Sequence, residues 1–395
     1  MYTFLIVTIY LAFISLGLPD SLLGSAWPVM QVELDAPLSA AGLVTMIIAA
    51  GTILTSLSSD RITRRLGAGP VTAISVLVTT AALFGFSRAN SMLSLCLAAI
   101  PYGLGAGAVD AALNNFVATQ FSAKHMSWLH AFWGIGAAFS PYVMGYCLTS
   151  DIGWRSGYFV VGCVQLALAL CVIVSLPAWK GKTAAEKSEA LGKSEPLPLL
   201  KAIRIRGVKQ IMFTFFGYCA LESTAGLWAS SYLVERFAVN AETAANFASL
   251  FYIGITMGRF VSGCITERFG DRNMIRGGIL IQIFGAALIA IPVFGGKIAM
   301  AGLVIVGIGC APVYPSIIHS TPANFGARYS QTIIGIQMAS AYTGSTLMPP
   351  LFGLIAEHIH IGLYPLYLFA LAALMLGMSE SLNRRVAAQP TSSLT

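Results

Sequence analysis

Ser56-Leu57-Ser58-Ser59-Asp60-Arg61-Ile62-Thr63-Arg64-Arg65 and Gly263-Cys264-Ile265-Thr266-Glu267-Arg268-Phe269-Gly270-Asp271-Arg272 are two versions of one string. Asp60 aligns with Glu267, Arg61 with Arg268 and Arg65 with Arg272. Each copy follows an apolar run of about 20 residues, long enough to cross a bilayer as a helix. Such runs recur outward in both directions, centred near Ile14, Ile48, Leu77, Leu104, Ala138, Leu166, Leu221, Ile255, Leu280, Val306, Ala339 and Ala370. The copies follow the second and the eighth of these twelve runs, so the chain reads as two sets of six. The runs lack the alternation that a membrane barrel needs, which leaves helices.

Composition agrees. Charged residues make up 10% of the chain and apolar ones 56%, against roughly 25% and 45–50% in soluble domains. The net charge of +7 does not point to nucleic acid, because the basic residues gather on one side of the bilayer. Arg61, Arg64, Arg65, Lys124, a cluster between Lys180 and Lys209, Arg268, Arg272, Arg276, Arg328, Arg384 and Arg385 fall in connectors of one side, and Arg88, Arg155, Arg236 and Lys297 in those of the other. That bias places both termini in the cytoplasm of a multi-pass protein of the plasma, or bacterial inner, membrane. One polar stretch interrupts the runs, so the expected organisation is a six-helix bundle over residues 1–178, a cytoplasmic linker over 179–207 and a second bundle with a short tail over 208–395. No positive residue precedes the first run, so a cleaved signal peptide is not expected. The seven cysteines lie in or beside apolar runs without a Cys-x-x-Cys pair and read as free packing thiols.

Three carboxylates stand inside runs: Asp20, Asp110 and Glu222. A carboxylate at membrane depth costs several kcal/mol unless it is protonated, paired or facing water, so three of them mark a path for a solute or ion. They are the candidate coupling-ion residues. Asp110 and Asn114 are four apart and share a helix face, with Asn115 close by in angle. Trp27 and Trp228 each follow a buried acid by about two turns and could give a solute a stacking surface, while Asn114, Asn115, His130, Glu222 and Gln337 could bond its polar groups. Gly103, Gly105 and Gly107, and Gly134 with Gly136, suit close helix approach. Pro312 with Pro315, and Pro349 with Pro350, should kink the tenth and eleventh runs. His358 and His360 lack further ligands, so no metal site is expected. Nothing resembles a nucleotide-binding loop or a catalytic triad, which argues against an enzyme.

The paired strings resemble the cytoplasmic loop of the major facilitator superfamily, Gly-x-x-x-Asp-Arg-x-Gly-Arg-Arg. The first copy departs from it at Ser56 and Thr63, and the second at Glu267. The segments Gly103 to Asn115, His130 to Gly136, Ala220 to Thr224 and Gly309 to Pro315 are similar to the fourth, fifth, seventh and tenth helices of the fucose-galactose-glucose:proton symporter family. The resemblance implies an all-α membrane protein of twelve transmembrane helices in two pseudo-symmetric six-helix bundles, working as a monomer. It maps the family's acids on the first and fourth helices, implicated in proton coupling and sugar binding, onto Asp20 and Asp110. It makes Asp60, Arg61, Arg65, Glu267, Arg268 and Arg272 gating residues, which Arg259 is expected to join by snorkelling toward the loop. The function expected is cation-coupled uptake of a monosaccharide, a hexose in class, by alternating access, with the proton favoured over sodium and no other cofactor. The alternative is a proton-driven exporter of drugs or metabolites.

Overall fold

Within lipid every backbone N–H and C=O must be satisfied inside the chain, and the described residues do this with helices and no strand. The computed structural model describes residues 2–37, 40–150, 152–179, 197–239 and 241–387. The greater part of the expected linker, residues 180–196, lies outside them.

The first six spans are α1 (Tyr2–Asp20) with α2 (Leu22–Glu33), α3 (Ala40–Leu66), α4 (Ala68–Ser87), α5 (Met92–Gln120), α6 (Ala123–Thr149) and α7 (Gly153–Ser175). A short α8 (Leu199–Arg204) precedes the second six: α9 (Val208–Phe237), α10 (Ala241–Phe269), α11 (Asp271–Ile289), α12 (Lys297–Cys310) with α13 (Val313–Phe325), α14 (Ala327–Ile355) and α15 (Tyr364–Ala387). This is the all-α, twelve-span membrane fold expected. Among the described residues, seven stretches are apolar and long enough to cross a membrane on those criteria alone; α9 and α10, which carry Glu222 and Arg259, are not among them.

Two spans are broken, and the sequence shows why. Pro19 has no N–H to give to the carbonyl of Ser15, and α1 ends at Asp20, one residue before α2 is capped at Ser21. The tenth span breaks between Cys310 and Val313, with Pro312 at the cap and Pro315 in the first turn of α13, where a missing N–H costs little. In the eleventh span α14 continues through Pro349 and Pro350 without a break.

The chain divides into two compact units, residues 1–116 with 129–197, and 117–128 with 198–395. The segment 117–128, the end of α5 and the start of α6, thus goes with the second unit, although its place in the sequence is in the first half. In the first unit α4 packs along α7. In the second, α9 packs on α14 and α15, and α11 on α12 and α15. Backbone contact at glycines sets the spacing: a Cβ on Gly103 or Gly107 would stand 2.3 Å from the Ile48 carbonyl oxygen or 2.2 Å from that of Thr52. Thr52 and Ser56 on α3 return hydroxyl bonds of 3.2 and 3.3 Å to the Gly103 and Gly107 carbonyls. That crossing fixes α5 one turn before Asp110. All seven cysteines are free thiols.

Candidate functional site

In the first unit three spans converge on one carboxylate. Asp20, at the break of the first span, accepts the Tyr102 hydroxyl of α5 at 3.0 Å on Oδ1 and the Trp133 indole N–H of α6 at 2.9 Å on Oδ2. Gly17 and Gly136 bring α1 and α6 together, since a Cβ on Gly17 would lie 2.1 Å from the Trp133 carbonyl oxygen and one on Gly136 2.3 Å from that of Ile14. With a side chain at either place the helices would part and Trp133 would lose its reach. Asp20 is nevertheless exposed, so the carboxylate is positioned by protein and open on one side.

A second polar chain lies in the same unit. The Asn114 amide N–H donates to Asp110 Oδ1 at 2.7 Å, and its Oδ1 lies 3.1 Å from His130 Nε2. The amide orientation is assigned by the Asp110 acceptor, and it requires His130 to present Nε2–H to the amide oxygen. Asp110, Asn114 and His130 are all buried, and the edge of His130 meets Phe13 at 5.2 Å between ring centres. An amide linking an imidazole to a carboxyl joins two groups that exchange protons through a side chain that does not. Asn115 is half-buried beside them.

The second unit holds its acid differently. Glu222 on α9 accepts a short hydrogen bond from the Tyr218 hydroxyl one turn earlier, and its Oε2 lies 3.7 Å from Nη2 of Arg259 on α10. Arg259 is 3% exposed. This corrects the expectation that Arg259 snorkels to the loop: a guanidinium at membrane depth needs a counter-ion, and Glu222 on the adjacent span supplies it.

Other expected residues are placed elsewhere. Trp27 is buried in an apolar cluster with Leu22, Met30, Tyr102 and Trp154, so its face is covered by protein and not open to a sugar. Trp228 donates its N–H to the Pro349 carbonyl at 2.9 Å and sits edge-on to Phe352, an indole that ties α9 to α14. Gln337 is fully buried and its amide is turned onto Thr321, donating at 2.9 Å and lying 3.2 Å from the hydroxyl through its oxygen, so it links α14 to α13. Each expected gating acid has a partner in its own unit. Asp60 pairs with Arg64 at 2.8 Å along its own helix, while Arg61 and Arg65 are exposed. Glu267 accepts the Ser122 hydroxyl at 2.7 Å, and Arg268 and Arg272 are exposed. At the Asp271 end of the second unit Arg276 donates two bonds of 2.7 Å to Glu380 between α11 and α15, and His319 meets Asp271 at 2.6 Å. No group of three metal-ligating side chains occurs among the described residues.

Tyr102, Trp133, Tyr218 and Arg64 were missed as site residues. Tyr218 and Arg64 carried a signal, each being four positions from its acid and so on the same helix face. Tyr102 and Trp133 carried none, because only the meeting of three helices brings them to Asp20.

The model of the Major Facilitator Superfamily matches residues 9–349. Bypass of stop codon protein 6 of Saccharomyces cerevisiae is 21% identical, over 93% of this chain and 80% of its own length. The crystal structure of the Escherichia coli fucose:proton symporter FucP superposes with a TM-score of 0.75 at 16% identity, covering 99% of both chains. That of the human organic anion transporter MFSD10 does so with 0.71 at 14% identity, covering 96% of this chain and 99% of its own. At these identities the solved structures speak for the fold alone.

Proposed function

The chain belongs to the Major Facilitator Superfamily and is a transporter rather than an enzyme, and from that premise we propose that it takes up a monosaccharide together with a proton by alternating access. The observation that carries the reading is Asp20, an exposed carboxylate bracketed by a phenol and an indole. A sugar needs acceptors for its hydroxyls and an aromatic surface for the apolar side of its ring; Asp20 offers the first and the half-buried Trp133 indole the second, while the buried Tyr102 holds the carboxylate in place. Both partners of Asp20 donate hydrogens toward it. An N–H donor cannot ligate a metal ion, whereas a proton needs only the carboxylate itself, which favours the proton over sodium. The Asp110–Asn114–His130 chain supports the same choice, since it links a carboxyl and an imidazole, two groups able to carry a proton. A fucose:proton symporter shares this fold over nearly the whole chain. The solute is small and polar, a hexose in class; the protein works as a single chain in the inner membrane, with both termini in the cytoplasm.

Uptake of labelled hexoses into proteoliposomes, with pH and sodium gradients imposed separately, tests the reading. A proton gradient alone should drive accumulation in the wild type, and Asp20→Asn and Asp110→Asn should each abolish accumulation while at least one still exchanges solute. Full accumulation by both variants would remove these acids from coupling, and accumulation driven only by sodium would overturn the proton.

A further inference from the structure

Arg259 is the one buried lysine or arginine among the described residues. Its counter-ion is poorly engaged: Glu222 Oε2 stands 3.7 Å from Nη2, close enough for Coulomb attraction and too far for a hydrogen bond. The same oxygen is held instead by the Tyr218 hydroxyl, whose oxygen is also a hydrogen-bond partner of the Arg259 guanidinium, so Tyr218 bridges the pair. Glu222 is 20% exposed against 3% for Arg259, so the carboxylate is the more accessible member of the pair.

We infer that Arg259 is the receptor for a carboxylate on the transported solute, which is therefore a sugar acid or a similar small hydroxylated acid, and that Glu222 takes up a proton as the solute displaces it. The inference rests on the proposed proton-coupled uptake of a small polar solute and narrows that solute. Two carboxylates on one buried guanidinium leave a negative charge unbalanced, so one of them must be protonated. The arriving anion offers two oxygens to the planar fork of the arginine, a bidentate match that Glu222 does not make. Glu222 then takes one proton from water and stays on Tyr218 as a carboxylic acid, because a phenol hydroxyl serves either form by turning its hydrogen. One anion and one proton are gained, and the charge of the site is unchanged. The groups gathered around the pair are Tyr218 and Cys219 on α9, Tyr252 on α10, Cys310 at the end of α12 and Tyr314 on α13. All are phenols or thiols, so the exchange of carboxylates is the step that balances the guanidinium.

D-glucuronate and D-glucose differ in a carboxylate at carbon 6 and are suitable probes. Calorimetry on the purified full chain at neutral pH, in two buffers of different ionisation enthalpy, reads both affinity and protons taken up. The wild type should bind glucuronate at least about ten-fold more tightly than glucose, the scale of one charge-assisted bond, and take up about one proton per anion. Glu222→Gln should still bind glucuronate but take up no proton. The uncharged double variant Arg259→Gln/Glu222→Gln leaves no orphan charge to unfold it and should lose the preference for glucuronate. Glucose bound as tightly as glucuronate would overturn the inference and leave proton-coupled monosaccharide uptake standing. Proton uptake that is absent in the wild type, or persists in Glu222→Gln, would overturn it as well. Binding of neither sugar would overturn both readings.

Discussion

The acids of the two units sit at comparable places in the repeat and are held by opposite chemistry. In the first unit Asp20 is bracketed by a phenol and an indole, and Asp110 is tied through an amide to an imidazole. In the second, Glu222 faces a buried guanidinium. Neutral donors stabilise a carboxylate without fixing its charge, whereas a buried cation demands that a negative charge stay nearby. A repeat in sequence is therefore not a repeat in electrostatics: the first unit surrounds its acids with neutral partners, and the second sets its acid beside a buried positive charge.

The comparison is broken most forcefully at Arg259. Arg259→Met strands the Glu222 carboxylate and should cost about 3–5 kcal/mol of stability, read as a lowered midpoint in thermal denaturation of the solubilised protein. Adding Glu222→Gln to it should restore most of the loss, and Asp20→Asn alone should change the midpoint little. Equal losses for Arg259→Met and Asp20→Asn would erase the distinction between the units.

Asn114→Ala removes the link between Asp110 and His130 and leaves two buried polar groups short of a partner, at about 1–3 kcal/mol. Proton-driven accumulation should fall with it, measured in the same liposomes, while Asn115→Ala should be milder. Tyr102→Phe deletes one of two donors to an exposed carboxylate, so a loss of about 1 kcal/mol, or five-fold in solute affinity, is expected.

The smallest effect lies at the span ends, where Glu33, the last residue of α2 and beyond the apolar stretch Thr3–Trp27, meets Arg155 in the first turn of α7. Arg155 donates to Glu33 and to the Ala89 carbonyl, and the Trp154 indole donates to Glu33 at 2.5 Å. The hydrogen bond from Arg155 holds the Glu33 carboxyl below its ordinary value, with Trp154 adding to it and burial opposing. A depressed folded-state value means stability that is present above the unfolded carboxyl range near 4.3 and lost as pH falls through the folded value. Glu33 is 46% exposed, so solvent screening limits the contribution to no more than about 1 kcal/mol. Stability measured from pH 6 downward should decline more steeply in the wild type than in Glu33→Gln.

The loop strings that revealed the repeat were poorer guides to side-chain partners. They led to Arg61, Arg65, Arg268 and Arg272, all of which point outward, because a string records which residues share a loop and not which way each faces. The partner of Asp60 is Arg64, one helical turn away. Trp27 and Gln337 misled for a related reason: an aromatic ring or an amide in an apolar run serves packing as readily as binding, and here the neighbours cover Trp27 and Thr321 satisfies Gln337.

The sequence by itself determined the twelve spans, their division into six and six, the family and the three acids at membrane depth. Hydropathy and charge act locally along the chain, and a bilayer penalises each exposed backbone group or charge wherever it stands. Local spacing also carried the Asp110–Asn114 contact, since four residues make a helical turn. Only the tertiary structure decided that Tyr102 and Trp133 meet Asp20, that His130 completes the Asp110 chain and that Arg259 turns to Glu222 instead of the loop. Those contacts join residues from 16 to 113 positions apart, and which side chains meet across such distances is set by glycine-spaced helix crossings, whose geometry no single segment contains.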